Sequence, residues 1–198
     1  MPLPHGVLTR RATRSHGLLI ATIAIAALAV ATAAEGAVTV LGGGLAEACS
    51  DAAVNGETDP KFEEVCTLAL DTEFLPLRDR AGTYVNRGVF KLRRASYVDA
   101  AQDFSQAARL QPDLGEAYVN RGAAFIGQKR YAESLPDLNR AIELGVSEPA
   151  KAYYNRAIAH EGLDDAKSAY FDYQKAIEMD PEWSAPREQL TRFTVSHR

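Results

Sequence analysis

Cysteine, tryptophan, methionine and histidine are all scarce: two, one, two and four residues in a chain of 198. Two thiols cannot build a four-cysteine zinc site or a disulfide-dense miniprotein. Positive charge is not in excess either, with 22 Lys and Arg against 26 Asp and Glu and a formal net charge of −4. That argues against a nucleic-acid binder, which carries a basic face to neutralise phosphates. His5, His16 and His197 lie near the two ends, so His160 has no second imidazole or thiol with which to hold a metal. There is no Ser–His–acid set, no phosphate-cradling glycine loop and no zinc-peptidase motif. Gly42-Gly43-Gly44 has no strand before it and no lysine after it, which makes it a linker. The expectation is a chain that is not an enzyme, with no catalytic or metal residues and no cofactor. What remains is a foldable composition, 46% hydrophobic and 24% charged, of a size for one ordinary domain or one short solenoid.

The N-terminal stretch differs from the rest. Arg10, Arg11 and Arg14 precede an uninterrupted apolar run, Leu18 to Ala34, which closes on small residues before Glu35. A positive start, an apolar middle and an A-x-A ending are the parts of an export signal. The run is shorter than the roughly 20 apolar residues that span a bilayer, and residues 1–34 are therefore expected to be cleaved. The alternative is an anchor in the inner membrane with the remainder outside. The expected location is exported, in a bacterial periplasm, with no membrane contact after cleavage. Residues 35–44 are expected to be a flexible lead.

The strongest signal is internal repetition. TYVNRG at Thr83–Gly88, AYVNRG at Ala117–Gly122 and AYYNRA at Ala152–Ala157 stand 34 and then 35 residues apart. Each is followed by a second matched block: YVDAAQDFSQAARLQP, YAESLPDLNRAIELG and AKSAYFDYQKAIEMDP. These blocks resemble the tetratricopeptide repeat, a helix–turn–helix unit. Its small position falls on Gly88, Gly122 and Ala157, and its large apolar position on Phe104, Leu138 and Tyr173. Its alanines fall on Ala100 and Ala169, with Ser134 departing, and on Ala107, Ala141 and Ala176. The closing proline is Pro112 or Pro181, and the middle unit has Gly145-Val146 and one extra residue instead. Small residues let paired helices approach while the large ones fill the gap, and proline stops the second helix. One hairpin cannot bury its apolar face alone, so the units must stack.

The expected fold is thus all-α, a right-handed helical-hairpin solenoid with repeats at 81–114, 115–149 and 150–183. A degenerate pair at 45–80 precedes them, with helices over 45–53 and 61–70 around the breaker-rich NGETDP. A cap helix over 184–195 follows, within a terminal segment 184–198. Pro136 predicts a mild distortion of its helix. Aligning Ala69 with Ala107 places Cys66 opposite Cys49 across the degenerate pair. In an exported protein this implies a disulfide, in a retained one two buried thiols.

Two further patterns concern function. Asn-Arg recurs at 86–87, 120–121 and 155–156, and an Asp follows each Arg by sixteen residues: Asp103, Asp137 and Asp172. Constant spacing predicts a structural ladder of ion pairs rather than a docking site for an acidic partner. The resemblance also implies a concave surface on the first helix of each unit. That surface comprises Val85, Val89, Leu92 and Arg93, then Glu116, Val119, Ala123 and Ile126, then Lys151, Tyr154, Ile158 and Glu161. With only Arg93 and Lys151 basic, it lacks the cation cluster that binds acidic C-termini. An exposed apolar stripe rimmed by charge predicts a protein or peptide partner, held as a segment or helix of an envelope protein. Self-association through the same stripe, a covering helix of this chain, or a membrane-anchored scaffold are the alternatives.

Overall fold

The computed structural model describes residues 7–10, 36–40 and 44–196. The apolar run of the expected export signal lies outside these residues. Among them the order is β1 (Val7–Arg10), α1 (Leu45–Val54), α2 (Lys61–Thr72), α3 (Leu77–Arg93), α4 (Tyr97–Leu110), α5 (Gly115–Gly127), α6 (Tyr131–Leu144), α7 (Pro149–Gly162), α8 (Ala166–Met179), α9 (Ser184–Leu190) and β2 (Phe193–Ser196). The fold is an all-α array of helical hairpins. Helices pair as α1–α2, α3–α4, α5–α6 and α7–α8, each hairpin packs on the next, and α9 closes the end against α8.

Close approach within each hairpin depends on the small position. A Cβ on Gly88 would stand 2.5 Å from the Phe104 ring, and one on Gly122 would stand 2.8 Å from Leu138 Cγ. Phe104, Leu138 and Tyr173 are fully buried in those gaps. Each full hairpin turns at a residue with left-handed backbone: Ala95, Lys129 and Asp164, at φ 59°, 60° and 61°. That conformation ends a helix within one residue, and it is used at the same place three times. The middle unit, lacking its proline, ends α6 on Gly145 with φ 77°. Pro136 sits on an exposed position of α6, and the helix continues through it.

The ion-pair ladder forms in every unit. Arg87 donates to both carboxylate oxygens of Asp103 (2.9 and 2.7 Å), Arg121 to those of Asp137 (2.7 and 2.7 Å), and Arg156 to those of Asp172 (2.8 and 2.7 Å). The remaining guanidinium nitrogen reaches back to the preceding hairpin: to Thr67 Oγ1, Ser105 Oγ and Asn139 Oδ1 respectively. One arginine therefore joins the two helices of its own unit and the unit before it. Each also lies over a tyrosine three positions earlier, Tyr84, Tyr118 or Tyr153, at 5.3–5.5 Å. Burial opposes the charge on Arg87, and the Asp103 carboxylate outweighs it, so its pKa is raised. For Arg121 and Arg156 the hydrogen-bonded aspartate is the leading cause of the same shift.

The two ends are closed differently. In the first pair, Cys49 and Cys66 are bonded, with Cα atoms 5.0 Å apart and no exposure. They share a cluster with Ala52, Ala53 and Phe90, and Phe62 stacks on Phe90 of α3 at 6.3 Å. At the other end, the expected cap helix forms as α9 and is shorter than the expected 184–195, stopping at Leu190. Phe193–Ser196 instead pairs antiparallel with Val7–Arg10, Phe193 opposite Arg10 and Ser196 opposite Val7. Phe193-Thr194-Val195 is aromatic and β-branched, which suits a ribbon better than another helical turn. The Phe193 ring packs on Tyr170 and Tyr173 at 5.9 and 6.1 Å.

Candidate functional site

Helices α3, α5 and α7 are the first helices of the three full units. Each carries one asparagine at the same point of its turn: Asn86, Asn120 and Asn155, all fully buried. Asparagine is a weak helix former, and a buried amide must find partners for both its oxygen and its nitrogen. Asn86 finds both on residues 36–40, and Asn120 finds one there. The stretch expected to be a flexible lead is held across these helices.

Val38 donates its N–H to Asn86 Oδ1 at 2.8 Å and accepts from Asn86 Nδ2 at 2.8 Å, so one side-chain amide holds both polar groups of one residue. Asn120 Nδ2 donates to the Gly36 carbonyl at 3.0 Å. Val40 donates to Ser50 Oγ at 3.0 Å, and that hydroxyl donates to the Val38 carbonyl at 3.1 Å. The bonded residues are alternate ones, 36, 38 and 40, which is the period of extended backbone. Thr39, between them, is exposed. Gly82 makes room for the strand: a Cβ there would stand 3.0 Å from Val40 Cγ2 and 3.1 Å from Val38 Cγ1.

Asn155 is different. Among the described residues neither its Nδ2 nor its Oδ1 has a hydrogen-bond partner, and Asn120 Oδ1 also lacks one. Past Gly36 the face continues over Glu116 and Val119 to Lys151, one turn before Asn155 on α7. There it opens into a cavity of 280 Å³ whose walls include Pro149, Lys151, Met179 and Trp183.

The residues expected to form an exposed apolar stripe do not form one. Val85, Val89, Leu92, Val119, Ala123, Ile126 and Tyr154 are all buried among the helices, and Ile158 packs against the same core. The physical reason is the stacking. Each first helix lies between its own second helix and the neighbouring hairpins, so apolar rows that a single hairpin would expose face the interior. The polar members of the set are in contacts too. Arg93 donates to the Ala53 and Glu57 carbonyls at 2.9 and 3.0 Å, Lys151 pairs with Glu148, and Glu116 accepts from the Ser147 N–H. Glu161 accepts from the Tyr173 hydroxyl at 2.8 Å and from Arg192 at 2.7 Å. Burial is the chief cause raising both the Tyr173 and the Tyr154 hydroxyl pKa. His160 is half-buried, its Nδ1 3.4 Å from Asp165 Oδ2. Among the described residues no group of three or more His, Cys, Asp and Glu could hold a metal ion, and no helix is long and apolar enough to cross a membrane.

Stacked hairpins whose first helices turn a row of amides to one face define a helical-repeat scaffold. The family described as Tetratricopeptide repeat matches residues 115–144 and 150–182. A curated relative, "DnaJ homolog subfamily C member 7 homolog" of Schizosaccharomyces pombe, is 31% identical over 139 residues, 68% of this chain and 29% of the relative. The chain therefore spans about three tenths of that relative's length. Among solved structures, "MamA 41-end from Desulfovibrio magneticus RS-1" superposes with a TM-score of 0.61 at 20% identity, covering 75% of this chain and 82% of that one. "First TPR of Spaghetti (RPAP3) bound to HSP90 peptide SRMEEVD" gives 0.55 at 23% identity, covering 58% and 90%. "Arabidopsis OM64 TPR domain" gives 0.57 at 21% identity, covering 59% and 96%. The chain is a tetratricopeptide-repeat protein.

Proposed function

We propose that this protein is a non-catalytic interaction module that holds an extended segment of a partner protein across the asparagines of α3, α5 and α7. The observation that carries the reading is the double bond between Asn86 and Val38. A side-chain amide buried on a helix and satisfied by both polar groups of one backbone residue is recognition of extended chain, independent of that residue's side chain. A structural neighbour bound to an HSP90 peptide supports the same kind of partner. The acidic C-terminal motif is a poor fit here, since Arg93 is committed to backbone carbonyls and Lys151 to Glu148.

The compartment follows from the N-terminal pattern, and with it the partner: a protein of the envelope, met after export of residues 35–198. Cross-linking of the native protein in envelope membranes tests both parts. The expected result is a partner segment cross-linked to α3, α5 and α7, retained by wild type and lost in a folded Asn86→Ala/Asn120→Ala variant. Intact mass of the protein isolated from its source is expected to lack about 34 residues, since the small-residue ending sets the cleavage point. Equal cross-linking by both proteins would sink the asparagine-lined face as the site, and a full-length mass would sink the export reading.

A further inference from the structure

The asparagine row already has an occupant, and it belongs to this chain. Resting on the reading above, we infer that Gly36–Val40 is a tethered occupant of the peptide site, and that an extended partner segment binds by displacing it. Two observations lead there. First, the bonds from Asn86 and Asn120 go to backbone N–H and C=O groups, which every non-proline residue possesses, so another extended chain can make the same set. Second, the occupant is connected to α1 through only residues 41–44, so its local concentration at the face is high. A tether of so few residues supplies an effective concentration of the order of millimolar.

The inference is tested with the full chain and a fluorescent synthetic peptide of residues 35–41, EGAVTVL, read by anisotropy. Val38→Pro removes the N–H that Asn86 accepts, which frees the lead without altering the face. The variant is expected to bind the probe about tenfold more tightly than wild type, because a tethered competitor hides most of the wild-type sites. A second readout needs no variant. The Val38 and Val40 amides of wild type are expected to exchange slowly with solvent and to speed up when the probe is added in excess. If wild type and Val38→Pro bind equally well, and both lose binding with Asn86→Ala, the face is a peptide site and the tether inference is overturned. If no variant binds the probe, the reading of the face falls with it.

Discussion

At the scale of single residues, arginine and asparagine stand side by side in every unit and have opposite tasks. Arg121 and its counterparts spend their donors inside the scaffold, on a bidentate aspartate and on the preceding hairpin. The neighbouring asparagines turn the other way. The carboxylate of Asp137 is nearly buried, and Arg121 is its bidentate partner. Arg121→Ala is therefore expected to cost about 3 kcal/mol in chemical denaturation, because the cost is mostly that of an abandoned carboxylate. Replacing both members, Arg121→Met with Asp137→Leu, is expected to cost less than the single change. A double variant at least as unstable as Arg121→Ala would mean the pair itself carries the stability. The ladder was legible in the sequence because acid and base recur at one spacing. The asparagines recur equally plainly, and their signal was present: a weak helix former held three times in mid-helix. What the sequence did not display was the occupant. EGAVTV carries no motif, because its bonds are made by backbone atoms common to all residues.

At the scale of elements, the helices of the repeats end where glycine, proline and the small turns demanded, and the degenerate first pair took its expected place. Two elements depart. The apolar rows of the first helices are buried, because periodicity reports that a face is apolar but not how many neighbours cover it. The cap helix forms, but the last turn expected of it is a strand, since Phe193 and its neighbours find a partner in Val7–Arg10 that a local reading cannot foresee. Among elements, the first pair is the one whose helices the structure brings together at two cysteines. Its helices bury few large side chains, and Cys49 with Cys66 closes a loop of sequence separation 17. Loop closure of that size is worth about 3 kcal/mol. Reduction is expected to loosen α1 and α2 while leaving the exchange protection of α5–α8 in place. Uniform loss along the chain would show that the hairpins do not melt separately.

At the scale of the whole molecule, the two ends are closed by different chemistry. At the N-terminal pair Cys49 and Cys66 are placed together, and at the C-terminal end a phenol is buried. Tyr173 lies between α7 and β2, hydrogen-bonded to Glu161, and its pKa is pushed far above the ordinary 10.0, first by burial and then by the charge of Glu161. The sign follows from linkage. A group whose folded pKa exceeds its unfolded one contributes full stability below the unfolded value, and that stability is lost as pH rises past it. Melting temperature is expected to fall above about pH 10, the usual tyrosine value, and to fall less steeply in Tyr173→Phe. Parallel curves for the two proteins would remove Tyr173 as the cause.

The double bond between Asn86 and Val38 has one more consequence. A receptor that grips peptide bonds is blind to the letters of the text it holds. A residue that faces solvent there, as Thr39 does, can drift in sequence and still fit, while Val38 and Val40 are held by packing as well as by their backbone. Proline is refused at position 38, whose N–H is bonded. Relationships between such a receptor and its clients would leave only a faint trace in either sequence, and would have to be traced through shape.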